Sequence, residues 1–446
     1  MESPRVSRTA FGAAPRPRLW RDWRMLCETI GERRAGSPAE RRAAEYIARR
    51  FATAGLGGIA IESFPCMSLR GARTDVLERR GRGWRRVEAV TLVGAPGTPG
   101  REPIEGKLAW IEAPEGFHRL EPGSLRGRIV ALFGPLPTSA AAHRRLVAAG
   151  PAVVVHVDER LPFPWTKNDG VYPHWARSLG MPPTITVPYS DAWRWRRDGV
   201  ARLRVRVHVD LIEGFSQNVS AEVRGRDPGL PALVVTAHHD TQCGNPGADD
   251  NASGVVAVLA LAEAFARRRL RRTVRFISFG AEEQLSVGST DYALRHAVAP
   301  DNVALAVNFD SVSSPLGHFI LSVAGSPGLA RFSAASLGRR GLDVVVQREI
   351  TPFSDHFPFN RGGVPSLWFM RTNFPGGRWQ HHSPHDTLAN VSAAEVLRLL
   401  QAVEPFLLDL ADRPVLPFPA RLPPAQQREV RSVAANCWGA APRARR

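Results

Sequence analysis

The chain contains 446 residues, 43% of them hydrophobic, and carries a formal net charge of +17 at pH 7. This length exceeds one compact domain of ordinary size, so two domains are expected. The sequence has no run of about 18 apolar residues, which is the length that a transmembrane helix needs, so no membrane partner is expected.

Arginine supplies almost all of the positive charge, since Lys107 and Lys167 are the only lysines. Such a charge would suit an acidic partner or a nucleic acid. The arginines are spread along the chain without interleaved aromatic residues, however, and a genome-level coding bias explains this distribution better. No specific nucleic-acid partner is therefore expected.

The cysteines are scattered and form no CxxC pair, which favours reduced thiols in a cytoplasmic protein. They are Cys27, Cys66, Cys243 and Cys437. The N-terminus is rich in arginine and proline but lacks the apolar core of a secretory signal. Residues 1–19 are expected to form a disordered leader.

Residues 20–70 are predicted to begin a first domain. Residues 20–54 have a helical pattern, in which Ser37 and Pro38 mark a helix start. Gly55 to Gly58 would end the helix, and residues 59–64 are predicted to form a strand.

Residues 71–215 differ in pattern and are predicted to form an inserted β-rich domain. Short apolar runs alternate there with Gly/Pro turns, and one helix is expected over residues 139–149. Its polar residues show no spacing suited to a metal or a nucleophile, so structural or substrate-gating roles are expected.

Residues 216–412 are predicted to continue the first domain as an α/β fold. Strand-like and helix-like runs alternate, which indicates a mostly parallel twisted sheet with helices on both faces. Residues 413–446 are rich in Pro, Ala and Arg and are expected to form a loosely attached tail.

Four apolar runs of this second segment each lead to a carboxylate or an imidazole. They lead to His238 and Asp240, to Glu282 and Glu283, to Asp310, and to the His381-His382 loop. A Gly/Pro/Asn loop with Asp249 and Asp250 follows the first run and precedes a predicted helix. In open parallel sheets, ligands bind in the crevice at the carboxyl ends of the strands.

These side chains suit a centre with two divalent ions. Such a centre needs one bridging carboxylate and about two further ligands for each ion. Five residues supply nitrogen and oxygen ligands of the kind that zinc accepts: His238, Asp250, Glu283, Asp310 and His382. Glu282 would face away from Glu283 and is a candidate base, and Asp240 is placed to accept the other N–H of His238.

These motifs resemble the co-catalytic zinc peptidase family that contains bacterial aminopeptidases and aminopeptidase Y. The matching stretches are His238-x-Asp240, Gly247-x-x-Asp250-x-x-Ser253-Gly254, Gly280-Ala281-Glu282-Glu283, Asn308-Phe309-Asp310, Ser354-Asp355-His356 and His382-Ser383-Pro384-His385-Asp386-Thr387. The resemblance covers about residues 20–412. The inserted segment, with Gly127-Arg128-Ile129-Val130, resembles a protease-associated domain.

The resemblance implies a role for each residue of the centre. Asp250 would bridge two zinc ions, with His238 and Asp310 completing one site and Glu283 and His382 the other. Glu282 would act as general base toward a metal-activated water, and Asp240 would orient His238. The implied reaction is hydrolysis that releases the N-terminal residue of a peptide substrate.

One position departs from the family pattern. Where these aminopeptidases often carry a tyrosine that helps to hold the oxyanion, the chain has His381, whose imidazole could donate the same hydrogen bond. Another hydrolase activity, a glutaminyl cyclase and a non-catalytic peptidase-like binding protein remain alternatives. The preferred substrate and the oligomeric state are left open.

Overall fold

The computed structural model describes residues 10–11, 16–157, 166, 172–373 and 378–439. In these ranges the strands are β1 (Gly57–Arg80), β2 (Gly83–Val87), β3 (Val90–Thr91), β4 (Ile104–Glu112), β5 (Ile129–Phe133), β6 (Val153–Val157), β7 (Thr184–Thr186), β8 (Arg202–Val223), β9 (Ala232–His238), β10 (Val274–Phe279), β11 (Val303–Phe309), β12 (His318–Ala324), β13 (Val344–Gln347) and β14 (Ser366–Thr372).

The helices of the same ranges are α1 (Arg16–Arg24), α2 (Pro38–Ala54), α3 (Ala140–Ala149), α4 (Pro173–Leu179), α5 (Tyr189–Arg197), α6 (Ala252–Phe265), α7 (Val287–Arg295), α8 (Pro327–Gly338), α9 (His356–Arg361), α10 (Ala393–Asp412) and α11 (Pro424–Trp438). A π-helical segment, Met25–Ile30, continues α1. None of the helices in the described ranges has the length and apolar character needed to span a membrane.

The described residues form two compact units. The larger unit contains the residues up to 66 and residues 215–433, and the inserted unit contains residues 67–214 with the described residues that follow 433. These limits lie within five residues of the predicted insert, 71–215. The long strands β1 and β8 are each divided between the units, with one part in the larger unit and the other in the inserted unit.

The larger unit is built on a mostly parallel sheet, as the sequence predicted. Its strand order is β13-β12-β14-β11-β9-β10-β8. The central strands β14, β11, β9 and β10 are parallel, while β12 and β8 run antiparallel to their neighbours β14 and β10. Because the central strands are parallel, their carboxyl ends lie at one edge of the sheet.

Helices cover both faces of this sheet. Leu233 and Val235 of β9 face a core formed with α2, α6, α8 and α10. The intervening Val234 faces a second core with residues of α7 and α9, including Tyr292 and Phe359. The strand is apolar throughout because successive side chains enter opposite cores. The predicted α/β fold class is therefore confirmed.

The inserted unit has more helix than its strand-rich sequence suggested. Strands β4, β5, β6 and β7 are parallel neighbours, and β8 flanks β4. The helix α3 agrees with the prediction over residues 139–149, whereas α4 and α5 were not predicted. In α5 the buried residues Ala192 and Trp195 are three positions apart, which is a helical spacing. A segment of nine residues contains too few such repeats for the sequence pattern to predict a helix.

Both ends of the chain are more ordered than expected from the sequence. The predicted leader, 1–19, overlaps α1, and Phe11 and Leu19 are buried in the core. Residues 1–9 and 12–15 lie outside the described residues, as does the end of the predicted tail, 440–446. The rest of that tail contains α11, where the Gln426 side chain accepts a hydrogen bond from the Gly325 N–H. The tail sequence also contains apolar residues among its prolines and arginines. Their burial explains why this part of the chain packs against the protein instead of remaining loosely attached.

Arg33 ties the N-terminal segment to the loop that follows β9. Its guanidinium is fully buried and donates hydrogen bonds to the carbonyl oxygens of His239 at 2.7 Å, Pro246 at 2.8 Å and Gly247 at 3.1 Å. The backbone of Arg33 also exchanges hydrogen bonds with Thr241. The N-terminal segment therefore holds the loop that leads to Asp250.

Candidate metal centre

The carboxyl edge of the larger sheet brings the predicted ligands together. His238 is the last residue of β9, and Asp310 follows β11 directly. Glu283 lies in the turn after β10, and His382 lies in the loop after β14. Asp250 precedes α6. Five residues separated by up to 144 positions thus converge because parallel strands end at the same edge.

The start of α6 fixes Asp250 against the sheet. The Asn251 side chain accepts a hydrogen bond from the Gly254 N–H at 2.8 Å and donates one to the Phe309 carbonyl at 2.9 Å. Gly254 allows this approach, since a Cβ at that position would lie 2.3 Å from the Phe309 carbonyl oxygen. The helix start is therefore bound to the end of β11, next to Asp310.

One group of possible ligands contains His238, Asp250 and Asp310. Their ligand atoms lie within 4.8 Å of one another. His238 Nε2 is 3.2 Å from Asp250 Oδ1 and 3.8 Å from Asp310 Oδ1. All three side chains are buried.

A second group contains Asp250, His381 and His382, whose ligand atoms lie within 4.8 Å of one another, and Glu283 adjoins this group through His382. His382 Nε2 is 3.5 Å from Asp250 Oδ2 and 3.1 Å from Glu283 Oε2. The neighbouring His381 Nε2 is 3.1 Å from Asp250 Oδ2. Asp250 thus presents one oxygen to each group, which is the arrangement that a bridging carboxylate requires.

Two further aspartates hold the backbone around these groups. Asp240 accepts hydrogen bonds from the N–H groups of Glu282 at 3.0 Å and Glu283 at 3.2 Å, and its Oδ1 lies 3.5 Å from His238 Nδ1. Asp386 accepts hydrogen bonds from the Asp250 N–H at 2.9 Å and from the N–H of the preceding residue at 2.6 Å. Each carboxylate links a ligand to a distant part of the chain.

Glu282 lies beside the first group rather than the second. Its Oε2 is 3.9 Å from His238 Nε2, and its Oε1 accepts a hydrogen bond from the Ser286 hydroxyl at 3.3 Å. The turn is held in place by Ala281, whose φ is 51° and whose N–H donates to the buried Glu40 carboxylate at 3.2 Å. A left-handed conformation is costly for alanine, so this turn depends on its surroundings.

Burial and charge shift the titration of the cluster. Burial raises the pKa of Asp250, but the neighbouring imidazoles of His238 and His381 outweigh it and hold that pKa well below its usual range. Burial raises the pKa of Glu282 well above its ordinary value, and that of Glu283 is also raised. The pKa of His238 lies well above its usual value because nearby carboxylates outweigh its burial. The cluster therefore favours bound positive charge.

Two independent observations show that these residues fit a metal centre: unpartnered ligand atoms and the distances between ligand atoms. First, His238 Nε2 and Glu283 Oε1 are buried polar atoms of the cluster without a hydrogen-bond partner. Tetrahedral zinc with bonds of 2.0–2.2 Å separates its ligand atoms by about 3.3–3.6 Å. The His–carboxylate separations of 3.1–3.5 Å around Asp250 are close to that range. The donor set of imidazoles and carboxylates suits zinc.

Several polar neighbours were not predicted as site residues. The buried Arg378 places Nη2 3.3 Å from Asp250 Oδ2, and the Ser354 hydroxyl donates to Asp310 Oδ2 at 2.7 Å. The Gln242 side chain donates to Glu283 Oε2 at 3.0 Å. Ser354 lies in a motif that the sequence singled out, but no local pattern marks Arg378 or Gln242.

Comparisons with known proteins find similarity to peptidases. A family model described as peptidase family M28 matches residues 218–407. Aminopeptidase YwaD of Bacillus subtilis (strain 168) is 24% identical over 382 residues, which cover 82% of this chain and 78% of that protein.

Solved structures share the fold at low sequence identity. The peptidase M28 precursor from Shewanella amazonensis SB2B has a TM-score of 0.77 and 18% identity, covering 91% of this chain and 95% of that one. The zinc aminopeptidase BSAP from Bacillus subtilis has a TM-score of 0.71 and 19% identity, with coverages of 91% and 97%.

Proposed function

We infer, from the match of residues 218–407 to the peptidase family M28 model and from the similarity to aminopeptidase YwaD, that the chain is a zinc-dependent aminopeptidase. The observation that carries this proposal is the position of Asp250, which presents one oxygen to His238 and the other to His382. We propose two zinc ions, one held by His238, Asp250 and Asp310, the other by Asp250, Glu283 and His382. The full set of ligands argues against a non-catalytic binding protein.

Zinc bound at these residues would supply Lewis acidity toward the scissile carbonyl and the attacking water. Glu282 takes the proton from that water and passes it to the leaving amine. The Ser286 hydroxyl donates a hydrogen bond to one carboxylate oxygen of Glu282, and the Asp240 carboxylate accepts one from the Glu282 backbone N–H. The catalytic carboxylate is therefore held by contacts on its side chain and on its backbone.

N-terminal cleavage is proposed from the similar proteins. Aminopeptidase YwaD and the zinc aminopeptidase BSAP, both of Bacillus subtilis, are named for this activity. The substrate is proposed to be a peptide with an unblocked α-amino group.

Three further expectations stay proposals. The inserted unit is proposed to be a protease-associated-like domain, and its role toward substrate is open. A cytoplasmic location is proposed from the scattered cysteines. No specific nucleic-acid partner is proposed, since the arginines show no aromatic interleaving.

The test measures zinc per chain by mass spectrometry and hydrolysis of a panel of aminoacyl anilides, each with and without an N-acetyl group. The proposal expects two zinc ions per chain, cleavage of the free-amine substrates alone, and loss of activity on chelation. Glutaminyl peptides in the same panel test the cyclase alternative. A single zinc with pyroglutamyl product, or equal cleavage of acetylated substrates, would contradict the aminopeptidase proposal.

A further inference from the structure

The imidazole of His381 lies inside the ligand cluster. It occupies the position at which the sequence suggested an oxyanion donor, yet its Nε2 is one of three ligand atoms, with those of Asp250 and His382, that lie within 4.8 Å of one another. The side chain is 19% exposed, so it is largely withdrawn from solvent. This inference rests on the proposed zinc centre.

The two histidine rings are stacked, and the Nε2 atoms of both lie near the same carboxylate oxygen. Their centroids are 3.5 Å apart with an interplanar angle of 26°. The Nε2 atoms of His381 and His382 lie 3.1 Å and 3.5 Å from Asp250 Oδ2. Both distances approach the separation of about 3.3–3.6 Å between two ligands of one tetrahedral zinc ion.

We propose that His381 is a protein ligand of the second zinc site, together with Asp250, Glu283 and His382. A ring nitrogen that coordinates a metal cannot also donate a hydrogen bond to an oxyanion. The assignment to the metal therefore removes Nε2 of His381 from the oxyanion role that the sequence suggested for this residue, and leaves only its Nδ1–H able to donate.

The assignment makes the two sites chemically unequal. The second site has four protein ligands and is closed, whereas the first has His238, Asp250 and Asp310 and keeps a position open for water or substrate. The open site is also the one beside Glu282, whose Oε2 lies 3.9 Å from His238 Nε2. Attack on the substrate is thus assigned to the first site, and the second site binds zinc more tightly.

The experiment titrates zinc into metal-free full-length protein, with a competing chelator to extend the range of affinities. It compares wild type with His381→Phe, which keeps an aromatic ring beside His382, and with His381→Tyr. His385→Phe is the matched control, because His385 lies in the same loop but is exposed and outside both ligand groups. Circular dichroism of each metal-free variant checks the fold.

Wild type is expected to bind two zinc ions, one much more tightly than the other. In His381→Phe and His381→Tyr the tighter affinity falls by at least about 100-fold, while His385→Phe keeps it. The visible spectrum of the cobalt-loaded protein changes in the same two variants, since a nitrogen ligand is lost.

Unchanged zinc affinity and cobalt spectrum in His381→Phe would overturn the inference. Retention of activity by His381→Tyr with normal zinc binding would instead assign the oxyanion role to this position. Failure of the proposed function has a different signature, because wild type would then bind no zinc or would bind two zinc ions without cleaving any peptide in the panel.

Discussion

At the scale of single residues, the adjacent glutamates Glu282 and Glu283 are proposed to carry different functions. Glu283 contacts His382 in the second ligand group, whereas Glu282 lies beside His238 and the Ser286 hydroxyl. The short turn after β10 points the two carboxylates to different sides. The proposed division between ligand and base depends on this turn, and the two residues can be tested separately.

Replacement of Glu282 by glutamine is expected to lower kcat by about 10²- to 10⁴-fold, because the amide cannot accept the proton of the attacking water. The zinc content should remain that of wild type, since the shape of the side chain is kept. Steady-state kinetics and metal analysis of the same preparation check both expectations. The exposed Glu28→Gln serves as control, and full activity of Glu282→Gln would show that another group is the base.

Asp240 connects the end of one element with the turn after another. It follows β9, and its carboxylate receives the N–H groups of Glu282 and Glu283 after β10 while lying close to His238. Asp240 thus meets His238, a proposed ligand at the end of β9, with its backbone carbonyl at 3.3 Å and its carboxylate at 3.5 Å, and its carboxylate also holds the backbone of Glu283, a proposed ligand after β10.

Asp240→Asn is expected to weaken zinc binding by about 10- to 100-fold, the usual effect of removing a partner that orients a ligand. The amide keeps one acceptor oxygen but replaces the other with a donor that faces an N–H group. Chelator competition measures the loss, and the unfolding temperature of the metal-free protein separates it from general destabilisation. Zinc affinity equal to wild type would remove this positioning role.

The packing of α6 on β11 is a second feature at the scale of elements. Gly254 lies where a Cβ would meet the Phe309 carbonyl and the Asn251 side chain at 2.3 Å and 2.4 Å. Because the Phe309 carbonyl is backbone at the end of a central strand, it cannot move without moving Asp310.

Gly254→Ala is expected to lower the free energy of unfolding by about 1–3 kcal/mol, as an overpacked core does, and to weaken zinc binding. Gly328→Ala in the first turn of α8 is the matched control, since a Cβ there meets only the Ser326 hydroxyl at 3.4 Å. That control should be neutral or stabilising by up to about 1 kcal/mol. Denaturant titration of both variants makes the comparison, and equal stability of the two would refute the packing argument.

The strands that carry the ligands were predictable, whereas their surroundings were not. The runs ending at His238, Phe279 and Phe309 are short, apolar and followed by ligand-type residues, so the local pattern identifies each strand and predicts the candidate site at its end. Strands β12 and β13 were missed. β13 is only four residues long, with two of them exposed and two half-buried, and β12 is fixed by antiparallel pairing with a strand more than 40 residues later. The approach of Arg378 to Asp250 depends on how the loop after β14 folds back, and the spacing of residues along the sequence does not predict that path.

The molecule as a whole consists of two units with separate cores, and the inserted unit has its own buried ionic centre. Glu78 is fully buried and accepts hydrogen bonds from Arg194 at 2.7 and 2.8 Å, from Arg80 at 2.7 Å and from Trp195. Burial raises the pKa of Glu78, but these donors outweigh it and the pKa lies below its usual range.

A lowered folded-state pKa stabilises the unit at pH values above the unfolded-state pKa of about 4.3, and this contribution is lost as the pH falls through the folded-state value. Glu78→Gln is therefore expected to lower the free energy of unfolding of the inserted unit by about 2 kcal/mol near pH 7. The loss is no larger because the arginine partners are partly exposed, and solvent screens their charges. The difference from wild type should shrink in acid below the folded-state pKa. Hydrogen exchange over residues 67–157 measures it, and a difference independent of pH would contradict this account.

The hydrogen bonds of Arg33 to the loop after β9 have a consequence for synthesis on the ribosome. Arg33 is translated more than 200 residues before the carbonyl groups that it binds. Translation proceeds at about 5–20 residues per second, so roughly 10–40 s pass before these carbonyl groups are synthesised. During this time, while the inserted unit emerges, the apolar side chains Trp23 of α1 and Phe51 of α2 lack the core that covers them in the folded protein. Ribosome-bound chains halted near residue 230 should accordingly be cut by protease in the first 66 residues, which still lack these partners.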